Sequence, residues 1–394
     1  MKENRWGRYV KVVPILCLVV LYVAGLLRDE RKMKRVVLDR YPVLERIEPV
    51  LTEPLTYKIE GSDDKKASYM VFSTGLGWGG PFVFMVEIRV DRKISNFELL
   101  DHSETPSYIL KLEKYHFFDQ FVNQPANAAM ILGTDVDAVT GATVSSTGFT
   151  NAIRKASHQV STTLLGVEGI QHDRTIPFGM KELVILILFV MTWIGSLLRW
   201  SKLRYVTLLG GLVFLGFAYN FPFSISHFTS IFLGYIPALA TNFTWWLVVG
   251  GALLFIIVSG KNLYCAWICP FGAMQEVISM ISGFKLPVHP WIKKHSSTIL
   301  YGLTFVSVGT MLYFRNTSSG NYEPFAALFK LDGYGFIWFI LPLMLFSSFF
   351  WKRFYCRYFC PAGAVLTLSN RLRNFIKGKT KSTFKCKSVC HKKR

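Results

Sequence analysis

Charge is scarce in this 394-residue chain: Asp, Glu, Lys and Arg together make up 18%, and 25 acidic residues face 45 basic ones. With 51% hydrophobic and 15% aromatic residues and a mean hydropathy of +0.32, so little charge excludes a disordered chain and argues against a purely soluble enzyme. Cysteine is missing from the polar stretch between about residues 28 and 180, so no disulfide framework supports it. Histidine is missing from every long apolar segment, which argues against haem held by paired imidazoles inside them.

What is present is a series of six apolar segments: Val12–Leu27, Leu183–Leu198, Tyr205–Phe223, Thr244–Val258, Thr298–Phe314 and Phe336–Phe350. Each is shorter than the ~20 residues a crossing helix needs, but flanking Trp, Tyr and Phe extend them into the interface. The first follows a basic start (Lys2, Arg5, Arg8, Lys11) without an obvious small-residue cleavage site and reads as an uncleaved anchor. The expected architecture is an α+β domain in the polar stretch plus an all-α polytopic membrane domain of about six transmembrane helices. Its boundaries fall at 1–35 for the anchor, 36–180 for the α+β domain, 181–370 for the membrane domain and 371–394 for a basic tail.

Orientation follows from the loops. One side carries twenty Lys and Arg, among them Arg199, Lys202, Arg204, Lys261, Lys285, Lys293 and Lys294; the other carries only Arg315 and Lys330. The positive-inside rule puts both termini in the cytoplasm and residues 36–180 outside it, in a multi-pass protein of the inner (cytoplasmic) membrane. The Arg28–Arg35 run opposes this locally, which long translocated domains tolerate. Arg371–Arg394 has ten Lys and Arg and no acid, and beside a membrane helix it is expected to meet anionic lipid headgroups rather than nucleic acid.

Six of the seven cysteines form pairs at i, i+4. Tyr264-Cys265-Ala-Trp-Ile-Cys269-Pro270-Phe-Gly272-Ala273 and Tyr355-Cys356-Arg-Tyr-Phe-Cys360-Pro361-Ala-Gly363-Ala364 share one frame, 91 residues apart. They end two same-sense in–out–in units, an internal repeat whose pseudo-two-fold axis along the membrane normal would gather the four cysteines at the cytoplasmic face. Thiolates four apart lie on one helical face, and a following Pro ends or kinks the helix. Four such thiolates suit a 4Fe-4S cluster or a tetrahedral zinc. Lys261, Lys352, Arg353 and Arg357 nearby read as offsets to thiolate charge or as orientation-setting charge. Cys386 and Cys390, before His391, read either as accessory cluster ligands or as free cytosolic thiols; Cys17 reads as packing.

In the outer domain, Tyr69–Thr74, Phe82–Val90 and Ile94–Asp101 read as strands. Gly75, Gly77, Gly79 and Gly80 surround Trp78, either for close backbone approach to a ligand or as a plain hairpin connection. Asp137-Ala-Val-Thr140-Gly141-Ala142-Thr143 leads into a helix over Ser146–Leu165, with Ser145 or Ser146 as N-cap. It reads as an ordinary helix entry or as a place where phosphate meets first-turn amides beside an exposed Thr143.

Asp137 to Thr143 resembles the D-x-x-[ST]-G-A-T motif of the FMN-binding domain family, which includes the covalent-flavin subunits of Rnf-type and sodium-pumping NADH:quinone reductase complexes. Gly77-Trp78-Gly79-Gly80-Pro81 and His102-Ser103-Glu104-Thr105-Pro106 are similar to other segments of that family. The resemblance implies FMN attached by a flavin transferase, through its phosphate, to Thr143, with Asp137, Thr140, Gly141, Ala142, Gly77, Trp78, Gly79, Gly80, His102, Glu104 and Thr105 around it. Where the family often continues with glycines, this chain has Ser107-Tyr108-Ile109-Leu110, a departure that touches the flavin-ring contacts.

The whole layout, over about residues 45–370, is similar to NosR/NirI-type membrane proteins, which favours a 4Fe-4S cluster on Cys265, Cys269, Cys356 and Cys360. That resemblance implies a membrane-bound electron carrier linking a separate ferredoxin-like cytoplasmic donor, or a quinol, to an extracytoplasmic redox acceptor. The ~30 Å core then calls for a bound quinone, movement of the flavin domain or a partner subunit's cofactor; the loops around Phe228–Leu239 and Phe325–Leu331 read either as the border of a quinone site or as membrane-lying connectors. A redox sensor or maturation factor for an extracytoplasmic reductase, and a scaffold with structural zinc, are the competing expectations.

Overall fold

Helix α1 (Arg5–Arg40) contains the first apolar segment and continues through the basic run that follows it. Its apolar part leaves Ile15, Leu16, Val19, Val20 and Leu27 exposed, a surface suited to lipid. Its end behaves differently: Val37 is fully buried with Leu44, Tyr57, Phe72 and Met85. The computed structural model describes residues 5–59, 67–77, 80–104, 106–140, 142–170, 178–240, 242–284, 286–331 and 336–390. These form two units, one of Met1–Thr175, Thr229–Ile236 and Gly309–Gly320, the other of Ile176–Phe228, Pro237–Val308 and Asn321–Arg394.

In the first unit, β1 (Leu51–Thr52), β2 (Leu55–Ile59), β3 (Ser68–Leu76), β4 (Pro81–Arg89) and β5 (Ile94–His102) form an antiparallel meander in chain order. Five consecutive residues of β4, Phe82 to Val86, are buried, because both sheet faces are covered. Phe82, Phe84 and Val86 join Phe149, Ile153 and Val160 of α3 (Thr143–Leu164) on one face. Met85 joins Val37 and Phe72 on the other. Phe82 and Phe149 stack with ring centroids 3.9 Å apart. Between sheet and α3 in the chain lies α2 (Pro106–Lys114), which begins on a proline.

The second unit is largely helical: α4 (Met180–Leu198), α5 (Ser201–Gly210) continued by a π-helical stretch to Ala218, and α6 (Ile225–Leu233), whose later residues are grouped with the first unit. There follow α7 (Phe243–Trp245), a π turn, α8 (Gly251–Ser259), α9 (Pro270–Ser282) and α10 (Pro290–Phe314). The chain continues with α11 (Phe325–Lys330), α12 (Ile337–Phe350), α13 (Phe354–Tyr358) and α14 (Pro361–Cys390). Among the described residues three helices are long and apolar enough to cross a membrane: Met180–Leu198, Ser201–Ala218 and Pro290–Phe314. Val13–Arg28, Phe243–Ser259 and Ile337–Phe350 are shorter apolar helices.

Candidate functional sites: a helix start bearing Thr143 and a fold around four cysteines

The helix expected to begin at Ser146 begins three residues earlier. Thr143 is its first residue and Ala142 its N-cap, with no side-chain cap. The reason is local: Ala142 N–H closes a turn onto Val139 O at 2.9 Å, and Ser146 N–H already donates to Ala142 O at 2.9 Å. Ser145 and Ser146 are therefore not caps but buried first-turn residues; Ser146 Oγ accepts from Val139 N at 3.3 Å. Thr143 is exposed, as are Asp137 and Thr140, whereas Ala142 is buried. First-turn amides of a helix have no intrahelical partner, and a non-polar N-cap supplies none, so this end suits an anion. Asp137 is pinned through its backbone, its N–H donating to Gln120 Oε1 at 2.7 Å.

Three expected segments meet here. A Cβ on Gly77 would run into the Glu104 side chain, and one on Gly148 into Leu76 O. Gly77 N–H donates to Gly80 O at 2.9 Å, and Ser103 N–H to Pro81 O at 2.9 Å. The Glu104 carboxylate thus occupies the space that a side chain at position 77 would need. Gly80 has φ +150, open to glycine and costly for other residues. His102 is half-buried at the end of β5, its Nδ1 without a partner among the described residues. Trp78, Gly79, Thr105 and Gly141 lie outside the described residues.

The cysteine motifs differ from the expectation of one continuous helical face. Cys265 lies in a π turn, Tyr264–Ile268; Cys269 (φ −53, ψ 118) leaves it and becomes the N-cap of α9, with Pro270 at the first helical position. Proline starts the next helix here instead of breaking the last. Cys360 likewise stands just before Pro361 and α14. Each second cysteine therefore sits at a helix N-terminus, where amides favour a thiolate: Gly363 N–H approaches Cys360 Sγ at 3.3 Å, and the Gly272 and Phe271 amides act on Cys269.

The four thiols lie within electrostatic reach of one another. Burial pushes all of them up; Cys269 and Cys356 push Cys265 further, and Cys356, Cys265 and Cys269 do the same to Cys360. Cys269 and Cys360 are buried and Cys265 and Cys356 half-buried, and four such thiols are a donor set that a cationic metal centre would ionise and neutralise. Among the described residues, no three Cys, His, Asp or Glu side chains are gathered tightly enough for one metal ion. Four cysteine thiols are a donor set that fits a 4Fe-4S cluster and, by type alone, also a tetrahedral zinc. Cys386 and Cys390 end α14, and their side chains lie outside the described residues.

Trp267 packs against Gly195, near the end of α4, and a Cβ on Gly211 would run into Ile268 O. The first motif therefore packs against α4 and against the start of the π-helical stretch that continues α5. Segments distant in the chain meet the two motifs. Phe223 N–H donates to Tyr264 Oη at 2.8 Å, Tyr322 Oη to Phe359 O at 2.7 Å, and Ala362 N–H to Glu323 at 3.2 Å. Phe325, Ala327 and Phe329 of α11 are buried, so one face of this segment packs into the protein. His227 is buried rather than hydrated: its Nδ1 accepts from Ser224 N at 3.1 Å, and burial pushes it down to about 4, which keeps it neutral.

Sequence reading missed the polar residues that bind the motifs together. Glu276 is buried against Arg204 (2.9 Å), Lys352 (3.2 Å) and Arg353 (3.2 Å). Arg353, expected either to offset thiolate charge or to set orientation, pairs with Glu276 and donates to Cys265 O at 2.8 Å. Gln275 is fully buried beside Cys356. A usable signal was there: residues 176–394 contain only four acids, Glu182, Glu276, Glu323 and Asp332. The first three are each tied to distant residues.

Residues 77–158 match the FMN-binding domain family, and residues 241–289 and 331–380 match the 4Fe-4S binding domain family. The regulatory protein NosR of Stutzerimonas stutzeri is 28% identical over 194 residues, 44% of this chain and 26% of that protein. Protein NirI of Paracoccus denitrificans is 28% identical over 199 residues, 45% of this chain and 28% of its own length. The layout is of the NosR/NirI type. One component of the proton-translocating ferredoxin:NAD(+) oxidoreductase complex of Clostridium ljungdahlii is 30% identical over 104 residues, 25% of this chain and 56% of that component. The chain spans about a quarter of the length of the NosR and NirI relatives. The FMN-family match contains Thr143, and the two 4Fe-4S matches contain Cys265 with Cys269 and Cys356 with Cys360.

Proposed function

We propose that this chain is a membrane-bound flavo-iron–sulfur electron carrier, with FMN joined through its phosphate to Thr143 and a 4Fe-4S cluster on Cys265, Cys269, Cys356 and Cys360. The observation that carries it is the joint presence of an FMN-binding domain, with Thr143 exposed at an uncapped helix start, and a 4Fe-4S binding domain whose two matched stretches each contain a cysteine pair. When bound, these groups take up and release electrons singly or in pairs. The chain's own residues position them: Ala142 and Thr143 present first-turn amides to a phosphate, and the N-termini of α9 and α14 stabilise two thiolates.

The six apolar helices cross the membrane, with both termini cytoplasmic and the FMN domain outside; the loop charges support this orientation. The matched backbone bonding of the two cysteine motifs supports an internal repeat. FMN attachment requires a flavin transferase; electrons come from a ferredoxin-like cytoplasmic protein or a quinol and leave to an extracytoplasmic acceptor. A second reading, a redox-sensing regulator or maturation factor for an extracytoplasmic reductase, is favoured by the relatives that bear the name regulatory protein NosR.

The test is paired. Thr143→Ala should abolish flavin fluorescence that survives denaturation; fluorescence retained in that variant overturns the attachment. Anaerobically purified Thr143→Ala protein should still hold about four irons and four sulfides per chain, bleaching on reduction. Zinc, or no metal, overturns the carrier. Rapid turnover with a redox acceptor separates carrier from sensor.

A further inference from the structure

Gln275 lies six residues after the first cysteine motif but is spent on the second. It is fully buried. Its Oε1 accepts from Tyr355 N–H at 3.1 Å, and its Nε2 stands 3.2 Å from Cys356 Sγ and 3.5 Å from Phe271 O. The orientation of the amide is decided by its neighbours: Tyr355 N–H can only donate, whereas a thiolate and a carbonyl can only accept. A flipped amide would set N–H against N–H and oxygen against sulfur. Arg353, three residues before the second motif, reaches the other way to Cys265 O. Each motif is therefore gripped by a residue flanking the other.

The grip is unequal. With the 91-residue offset between the motifs, the position matching Gln275 is Leu366, also fully buried, with no polar atom to offer a sulfur. We propose that Gln275 is a positioning residue that locks the second motif against the first and donates a hydrogen bond to the Cys356 sulfur, making the two halves of the cluster site electronically unequal. This rests on the 4Fe-4S reading above. An N–H aimed at a ligating sulfur stabilises the more negative, reduced centre and so raises its reduction potential.

The test uses the full chain, purified anaerobically, with iron and sulfide content measured beside the potential. Gln275→Met should keep the metal content and lower the cluster's midpoint potential. Gln275→Glu keeps the acceptor for Tyr355 N–H, replaces the donor by a charge, and should lower it further. Unchanged potentials in both variants, with iron retained, overturn the proposal. Wild-type protein without iron overturns the 4Fe-4S reading instead.

Should the variants shed their cluster, the wild type decides. Gln275 is the only glutamine after Gln171, so side-chain 15N-glutamine labelling is nearly site-specific in this region. Pulsed EPR of the reduced cluster should show a coupling to that nitrogen, and its absence overturns the proposal.

Discussion

In both cysteine motifs the second cysteine amide donates to the carbonyl of the leading tyrosine, Cys269 to Tyr264 at 2.9 Å and Cys360 to Tyr355 at 3.0 Å. In both, an alanine four residues on donates back to that cysteine at 3.0 Å, Ala273 to Cys269 and Ala364 to Cys360. The surroundings are not matched. Tyr264 Oη accepts from Phe223 N–H, whereas Tyr355 Oη is buried without a partner among the described residues. The first motif is followed by Gln275 and Glu276, the second by Leu366 and Thr367. A repeated local frame builds the same cysteine-bearing turn twice; what differs is the set of long-range contacts around each turn.

The equivalence at the backbone is tested by the largest effect. Cys269→Ser and Cys360→Ser should each remove most of the bound iron, and to the same extent, by elemental analysis; a large inequality would show that the helix-start cysteines are not equivalent ligands. Next, Gly211→Ala drives a Cβ into Ile268 O. It should unseat the first motif, with lost iron and a lower Tm, while Gly302→Ala, which meets nothing within 4 Å, should stabilise α10 by up to ~1 kcal/mol.

Glu276→Gln strands Arg204, Lys352 and Arg353 beside a neutral group and should cost on the order of 3 kcal/mol, less than a wholly buried pair because Lys352 is half exposed. Although burial raises the Glu276 carboxyl, the three cations together hold it below its usual range. Its stabilisation is therefore present at neutral pH and lost as pH falls through the folded-state value, a pH dependence that the Gln variant should flatten. The smallest effects sharpen the contrast of the tyrosines. Tyr264→Phe leaves Phe223 N–H unpaired and should cost about 1–3 kcal/mol, whereas Tyr355→Phe removes an unpartnered hydroxyl and should be neutral or slightly stabilising in thermal melts.

Much of the sheet domain was legible. The three longer strands appear within two residues of their expected bounds, because alternation and turn residues act over a few positions. The two short strands before them, Leu51–Thr52 and Leu55–Ile59, carry too little pattern to announce themselves. The start of α3 was misplaced because Ser145 and Ser146 are favourable caps by residue type, yet a turn formed one step earlier buries both. The two Cys-Pro turns were legible from their doubled frame. The contacts around them were not, since spans of similar hydropathy do not say which loops fold back against which motif.

Local order determined the apolar helices, the hydroxyl of Thr143 at a helix start and two Cys-Pro turns, all features in which the deciding neighbours lie within a turn or two of chain. Tertiary structure decided what those features meet: Glu104 against Gly77, Glu276 among three cations, Gln275 on the sulfur of Cys356. The last of these pairs is 81 residues apart in the chain. A buried polar group must find its match wherever the packed chain supplies one, and no periodicity in the sequence records that choice.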